Sequence, residues 1–265
     1  MAMRFLACPG QGSQSVGFLI PWIELVPGFK EQLLSLGKAA ERDLVWLGTE
    51  ASEETIKDTA NAQPLIVGAS IAAARTLFSS TSYDGVVGHS VGEFAAAALA
   101  GVLSDADAMR LVAVRAKAMA DAAKKAHTSM AAVLGGEEVD VFSRLEELGL
   151  SAANYNGAGQ IVAAGEKSSI ENLLQNPPQK SRVIELKVAG AFHTVFMESA
   201  VSSLASAAKN VAVKDPEVQL FSNQNGQRVE SGAEFLQLMI NQVANPVRWD
   251  KCMDSLDALS VELIE

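Results

Sequence analysis

Apolar residues along the chain follow two rhythms, and the architecture is expected to change where the rhythm does. Phe5 to Cys8 is a short apolar run ending in Pro9-Gly10-Gln11-Gly12-Ser13-Gln14, which reads as a buried strand closed by a glycine-rich turn. Helical periodicity follows near Phe29 to Ala40, then over Ser52 to Ala60 and Gln63 to Phe78. Gly85-Val86-Val87-Gly88 is a short β-branched run that passes without a loop into the strongly helical Val91 to Ala100. A strand running straight into a helix marks a sharp elbow. Ser104-Asp105-Ala106-Asp107 reads as a helix N-cap, and the apolar positions Met109, Val112, Ala116 and Met119 carry a helix behind it to about Lys125.

From Ser129 the elements become short. Met130 to Leu134 reads as a strand, Val139 to Leu148 as a helix, and Ser151 to Tyr155 as a strand. Asn156 to Gly159 reads as a turn, Gln160 to Ala164 as a strand, Ser168 to Leu174 as a helix, and Arg182 to Val188 as a strand. The order β-α-β-β-α-β is the ferredoxin-like arrangement. A helix over Phe192 to Asn210 follows, then a strand at Val218 to Ser222, a turn at Asn223 to Gly226, a helix at Ala233 to Val243 and a strand at Val261 to Ile264. The expected fold is α/β: an α/β-hydrolase-like large domain from residues 1–128 and 190–265, with a ferredoxin-like small domain inserted at 129–189.

Composition narrows the partners. The 265 residues are 49% apolar and carry 31 acidic against 21 basic side chains, a net charge of −10 that argues against a general nucleic-acid binder. The two cysteines, Cys8 and Cys252, lie at opposite ends with no neighbour at metal-ligand spacing, so both read as reduced packing residues and no metal is expected. The longest apolar runs, Pro64 to Ala74 and Phe94 to Leu103, are shorter than a membrane span, and no secretory signal opens the chain. A cytoplasmic protein with no membrane or nucleic-acid partner is the expectation.

The chemistry centres on Gly88-His89-Ser90-Val91-Gly92, which matches G-x-S-x-G with the required strand before it and helix after it. Small residues two before and two after Ser90 permit the tight turn that lifts a hydroxyl out of a sheet, and the following helix presents backbone N–H groups to a developing anion. A nucleophilic serine needs a base, and the chain holds three histidines. His89 adjoins the serine and should point away from it; His127, among Ala and Lys, reads as solvated. His193 follows the serine in chain order, as the base does in α/β-hydrolases. Asp105, Asp107, Asp121 and Asp140 lie between them without following an evident strand. A carbonyl could orient the imidazole equally well, so the pattern points to a Ser-His dyad more than to a full triad. The Gly10–Gln14 loop lacks the third glycine of a dinucleotide fingerprint, having Ser15 there, and lacks a P-loop lysine, so no cofactor is expected. It reads instead as a tight loop that donates a backbone N–H beside the elbow.

Taken together, these residues resemble the malonyl-CoA:acyl carrier protein transacylases and the related acyltransferase domains of fatty-acid and polyketide synthases. The resemblance runs from Phe5 to about Asp250 and rests on six stretches in order. They are Pro9–Gln14, Gly88–Glu93, Arg115 in Leu111–Arg115, Asn154-Tyr155-Asn156 with Gly159-Gln160, Ala191–Thr194, and Gln242 with Asn245–Trp249. The resemblance implies Ser90 as nucleophile, His193 as base, the backbone N–H groups of Gln11 and Val91 as oxyanion hole, and the Gln242 main-chain carbonyl as the group orienting His193. It implies Arg115 as the residue gripping the malonyl carboxylate, and Phe192 as the specificity residue of the Ala-Phe-His form associated with malonyl. The implied reaction is transfer of malonyl from malonyl-CoA to acyl carrier protein through a malonyl-serine, without cofactor, by a monomer serving fatty-acid synthesis. A thioesterase or another serine hydrolase using the same elbow, a polyketide-type acyltransferase taking another acyl-CoA, and a non-catalytic acyl-CoA binder are the competing readings. Three departures accompany the match: Ala116 and Ala120 replace glycine and glutamine, Ala158 replaces a proline in an expectedly neutral change, and the chain ends at Glu265, before the last turn and helix of the relatives.

Overall fold

In the computed structural model, which describes residues 3–78 and 83–264, strand β1 (Arg4–Cys8) leads into helices α1 (Ile20–Leu25), α2 (Phe29–Ala40), α3 (Leu44–Thr49), α4 (Glu53–Lys57) and α5 (Thr59–Leu77). Strand β2 (Gly85–Gly88), α6 (Gly92–Leu99) and α7 (Asp105–Ala123) follow. Six short elements come next: β3 (Thr128–Gly135), α8 (Glu138–Glu147), β4 (Ser151–Gly157), β5 (Gln160–Glu166), α9 (Lys167–Gln175) and β6 (Ser181–Leu186). A 3-10 turn at Val195–Met197 precedes α10 (Glu198–Ala208), β7 (Gln219–Phe221), α11 (Gly232–Gln242), β8 (Val247–Arg248), α12 (Trp249–Leu259) and β9 (Glu262–Ile264).

The first sheet has the order β7-β2-β1-β9, every pair parallel, in a mixed α/β fold. Strand alternation divides its side chains between two cores. Leu6, Val86 and Leu220 face a large cluster built with α2, α5, α6 and α7, whereas Phe5, Val87 and Phe221 face Cys252 and Leu256 of α12. Residues Ala95 to Ala98 of α6 are all fully buried, and their small side chains let this helix lie close on the sheet. In the β1–β2 register Cys8 is opposite Gly88, so both strands end together and the loops carrying Gln11 and Ser90 emerge side by side.

The second sheet has the order β6-β3-β5-β4-β8. Its first four strands are antiparallel neighbours in the order of a split βαβ unit, and β8 adds a parallel edge through Asn154 opposite Val247. Ala131, Val133 and Ala163 pack under α8 and α9 with Val141, Leu145, Ile170 and Leu173. The alternate residues Met130, Val162 and Ala164 join the large cluster, so the two sheets enclose a shared apolar interior.

The observed elements differ from the periodicity in several places. The helix expected from Phe192 begins at Glu198, because His193 has φ 59° and the Thr194 hydroxyl accepts the N–H of Phe196. Helix α5 starts at Thr59 with Pro64 inside it, since the Asp58 carboxylate caps the N–H of Ala60. Strand β4 extends to Gly157, and β6 stops at Leu186. Ala158 has φ 48°, which a proline ring cannot adopt, so the proline replacement is not neutral on this backbone. The short α1, α3 and β8 and the helix α12 were not expected. Cys8 and Cys252 are free and buried, and burial pushes both thiols up to about 12. Among the described residues no helix is long and apolar enough to cross a membrane.

Candidate active site

Ser90 follows β2 with φ 52°, a left-handed conformation that costs a non-glycine residue about 1–2 kcal/mol. Its surroundings hold it there. The Ser90 N–H donates to Asn223 Oδ1 at 2.6 Å, and Asn223 Nδ2 donates to the Gly88 carbonyl at 2.7 Å, so one side chain clamps both arms of the elbow. A Cβ on Gly88 would lie 2.2 Å from the Gly92 carbonyl carbon, and one on Gly92 would lie 2.2 Å from the Cys8 carbonyl oxygen. Only glycine fits either position.

His193 comes from the segment after β6 and is likewise left-handed and buried. The Thr194 hydroxyl donates to the Ala191 carbonyl at 2.7 Å and ties the turn. His193 Nδ1 lies 2.7 Å from the carbonyl oxygen of Gln242 at the end of α11, and Nε2 lies 2.7 Å from Ser90 Oγ. A carbonyl only accepts, so Nδ1 carries the proton and Nε2 offers a lone pair to the serine hydroxyl. Burial first, then the nearby positive charge of Arg115, depresses His193 to about 3, which keeps the imidazole neutral with its Nε2 lone pair facing the serine hydroxyl. None of the four candidate aspartates orients it. Asp105, Asp107 and Asp121 are engaged by Arg75, Arg110 and Lys117, and Asp140 lies in the first turn of α8.

Arg115 projects inward from α7 and is 1% exposed. Its Nη1 donates to Gln63 Oε1 at 2.7 Å, and its Nη2 to Ser90 Oγ at 3.3 Å and Gln242 Oε1 at 3.4 Å. Its Nε is buried without an acceptor among the described residues. Burial lowers Arg115 to about 10, opposed by the negative charge of Glu93, so the guanidinium remains charged at neutral pH. A charged planar donor with one nitrogen unsatisfied, beside a nucleophile, suits a carboxylate.

Ser90 and His193 line a cleft of about 180 Å³ between the two sheets, with Gln11, Gln63, Met119 and Phe192 among its walls. Gln11 lies in the loop after β1, and a Cβ on the neighbouring Gly10 would come within 2.5 Å of His89 Nδ1, so the loop rests directly on that ring. Among the described residues, the backbone N–H groups of Gln11 and Val91 have no protein acceptor. His89 Nε2 bonds Asn156 Oδ1 at 3.0 Å and the ring packs edgewise on Trp249; it does not engage Ser90. His127 is exposed.

The structure thus brings Ser90, His193, Arg115, Gln11, Val91, Phe192 and the Gln242 carbonyl into one region. Three participants were not recognised from the chain alone. Gln63 shares Arg115 and also bonds Gln11 Oε1 at 3.3 Å; a polar residue in an apolar helix was its only signal. Asn223 holds the elbow from the turn after β7, 133 residues away in sequence. Glu93 is the single charge in the otherwise apolar α6 and is 1% exposed, which is unusual enough to have marked it. Burial raises it to about 8, while the Asn223 N–H and the charge of Arg115 pull the other way. Among the described residues no group of His, Cys, Asp and Glu side chains could hold a metal ion.

The chain is similar to known acyl transferases. A family model described as acyl transferase domain matches residues 5–263. A malonyl CoA-acyl carrier protein transacylase of Mycobacterium bovis is 49% identical over 266 residues, which is 99% of this chain and 88% of the relative. The crystal structure of MCAT from Mycobacterium tuberculosis superposes with a TM-score of 0.92 at 48% identity, covering 98% of this chain and 87% of that one. A complex of a type II PKS acyl-carrier protein with its malonyl-transacylase superposes with a TM-score of 0.93 at 26% identity, covering 100% and 88%.

Proposed function

The chain belongs to the acyl transferase domain family, and from that premise we propose that it moves a malonyl group from malonyl-CoA to the phosphopantetheine thiol of acyl carrier protein through a malonyl ester on Ser90. The observation that carries this reading is a Ser90–His193 pair in the cleft with a buried, incompletely paired Arg115 reaching the same Ser90 Oγ at 3.3 Å.

His193 Nε2 takes the proton of the Ser90 hydroxyl as Oγ attacks the thioester carbonyl. The oxyanion forms against the N–H groups of Gln11 and Val91, which no acceptor among the described residues occupies. The carbon–sulfur bond breaks, and the proton on His193 passes to the departing CoA thiolate. In the second half the carrier thiol gives its proton to His193 and attacks the acyl-serine; the proton then returns to Ser90 Oγ. The Gln242 carbonyl keeps the imidazole in the required tautomer throughout, in place of a carboxylate. Arg115 binds the free carboxylate of the malonyl group, and acetyl thioesters leave it unpaired. Phe192, 6% exposed beside His193, closes the space an α-methyl group needs.

The working unit in this proposal is a cytoplasmic monomer. Support for a monomer is that every residue in these steps comes from one chain; support for the cytoplasm is that both thiols are free. The division into a large unit of 1–128 and 190–265 and an inserted unit of 129–189 belongs to the same reading, supported by the separate cluster under α8 and α9. Incubation with malonyl-CoA, with and without acyl carrier protein, tests the function. Malonyl-carrier formation that is lost in Ser90→Ala is expected; rapid release of free malonate with no transfer would mean a hydrolase instead.

A further inference from the structure

Glu93 takes no part in the steps above, yet it lies at the centre of their support. Its Oε1 accepts the backbone N–H of Asn223 at 2.6 Å, and its Oε2 accepts a hydrogen bond from Gln242 Nε2. Gln242 Nε2 also donates to Asn223 Oδ1 at 3.2 Å. With two acceptors on one side of its amide, Gln242 has a single satisfactory orientation: nitrogen toward Glu93 and Asn223, oxygen toward Arg115. Both contacts are donated to Glu93, one to each oxygen, and an amide in its place offers an acceptor at only one of those two positions.

Among the described residues Glu93 and Arg115 form no ion pair; the neutral amide of Gln242 stands between them. This separation matters for the chemistry. A carboxylate bonded directly to the guanidinium would occupy the donors that a substrate carboxylate needs. At one residue's remove, Glu93 holds the Gln242 amide without taking those donors. The relay also crosses four elements, from α6 through the turn after β7 and the end of α11 to α7, so it fixes them relative to one another around Ser90.

We propose that Glu93 is a positioning residue for the substrate carboxylate: by fixing the Gln242 amide it aims the Arg115 guanidinium, and so sets the affinity for malonyl thioesters without touching them. The inference rests on the assignment of Arg115 to the malonyl carboxylate.

Glu93→Gln tests it with little change in size. The Asn223 N–H holds Oε1 of the new side chain as its acceptor, which turns the new NH2 toward Gln242 Nε2, donor against donor. The Gln242 amide then turns over and presents its own NH2 to Arg115. The expected result is a rise in the KM for malonyl-CoA of about tenfold or more, with kcat changed less than about threefold, because an interaction made equally in ground and transition states is lost. Acetyl-CoA kinetics and the rate at which a neutral sulfonyl fluoride labels Ser90 should both hold within about threefold. An unchanged malonyl KM, or equal losses with malonyl-CoA and acetyl-CoA, overturns the proposal. If Glu93→Gln does not fold, Gln242→Met removes the amide while keeping the carbonyl that holds His193. It should raise the malonyl KM alike, and an unchanged KM there overturns the role equally. A native protein that acquires no malonyl group takes down the functional reading and this inference together; a native protein that transfers malonyl, with Glu93→Gln behaving identically, overturns the role of Glu93 alone.

Discussion

Replacing Arg115 by alanine separates recognition of the malonyl carboxylate from the acyl-transfer chemistry. The guanidinium is fully buried, its Nε lacks an acceptor, and its Nη2 lies 3.3 Å from the nucleophile. A malonyl carboxylate bound there has exchanged its hydration for the arginine, and removing one partner of such a desolvated pair costs about 3–5 kcal/mol. At 1.4 kcal/mol per decade, kcat/KM for malonyl-CoA should fall by about two to three and a half decades. Acetyl-CoA carries no carboxylate and leaves the wild-type arginine unpaired, so its transfer should hold or rise. A competition assay with equal malonyl-CoA and acetyl-CoA, read as the masses of the acyl carrier products, gives the ratio directly. Arg115→Lys should recover only part of the loss, because an ammonium keeps the charge without the planar fork. A second effect has a defined sign. The Arg115 charge helps depress His193, so its removal makes the imidazolium easier to form and moves the acid limb of acetyl transfer to higher pH. Equal losses for both thioesters would refute the carboxylate role and leave Arg115 a structural residue.

Four further outcomes follow from the same geometry. With His193 depressed to about 3, the acid limb of single-turnover Ser90 malonylation should lie below about pH 5; a limb near 6.5 would contradict a buried, neutral imidazole. The depressed value also stabilises the fold above its unfolded-state pKa of about 6.5, a contribution lost as pH falls toward 3, which urea titrations of wild type and His193→Gln would resolve. Phe192→Ser should admit methylmalonyl-CoA to the cleft and raise its transfer relative to malonyl; an unchanged ratio removes Phe192 from specificity. Asn223→Ala orphans the Ser90 N–H and the Gly88 carbonyl, and at about 1–3 kcal/mol for each buried group it should lower the denaturation midpoint visibly while slowing acylation. Full stability in that variant would show that the elbow does not need the clamp.

What the chain shows on reading depends on whether a feature is local. The elbow at Ser90, the Ser104 cap that accepts the Asp107 N–H, and the rhythm from β3 to β6 are all signalled within a few residues, and their elements stand where expected. Helix α1 gave no such signal, since none of its residues is buried and Leu25 is 77% exposed. The helix read through His193 shows the opposite failure. Its apolar residues fit a helix, but the left-handed turn at His193 depends on tertiary contacts with Gln242 and Thr128 that periodicity does not report. Arg115, by residue type alone, reads as a surface or salt-bridged arginine on a helix face; family resemblance singled it out, and nothing local named its burial or Gln63 and Gln242 as its partners. The dyad without an acid was legible as an absence of a well-placed aspartate. That the substitute is the last carbonyl of α11, 49 residues beyond the histidine, was implied by family resemblance and by no local pattern.

The most direct measurement is the intact mass of the protein after brief exposure to malonyl-CoA, followed by peptide mapping of the modified residue. One malonyl group per chain on Ser90, absent in Ser90→Ala and discharged by acyl carrier protein, is the expected result. No covalent adduct, or an adduct that maps to another residue and persists in Ser90→Ala, would contradict the assignment of the nucleophile and with it the account of the site.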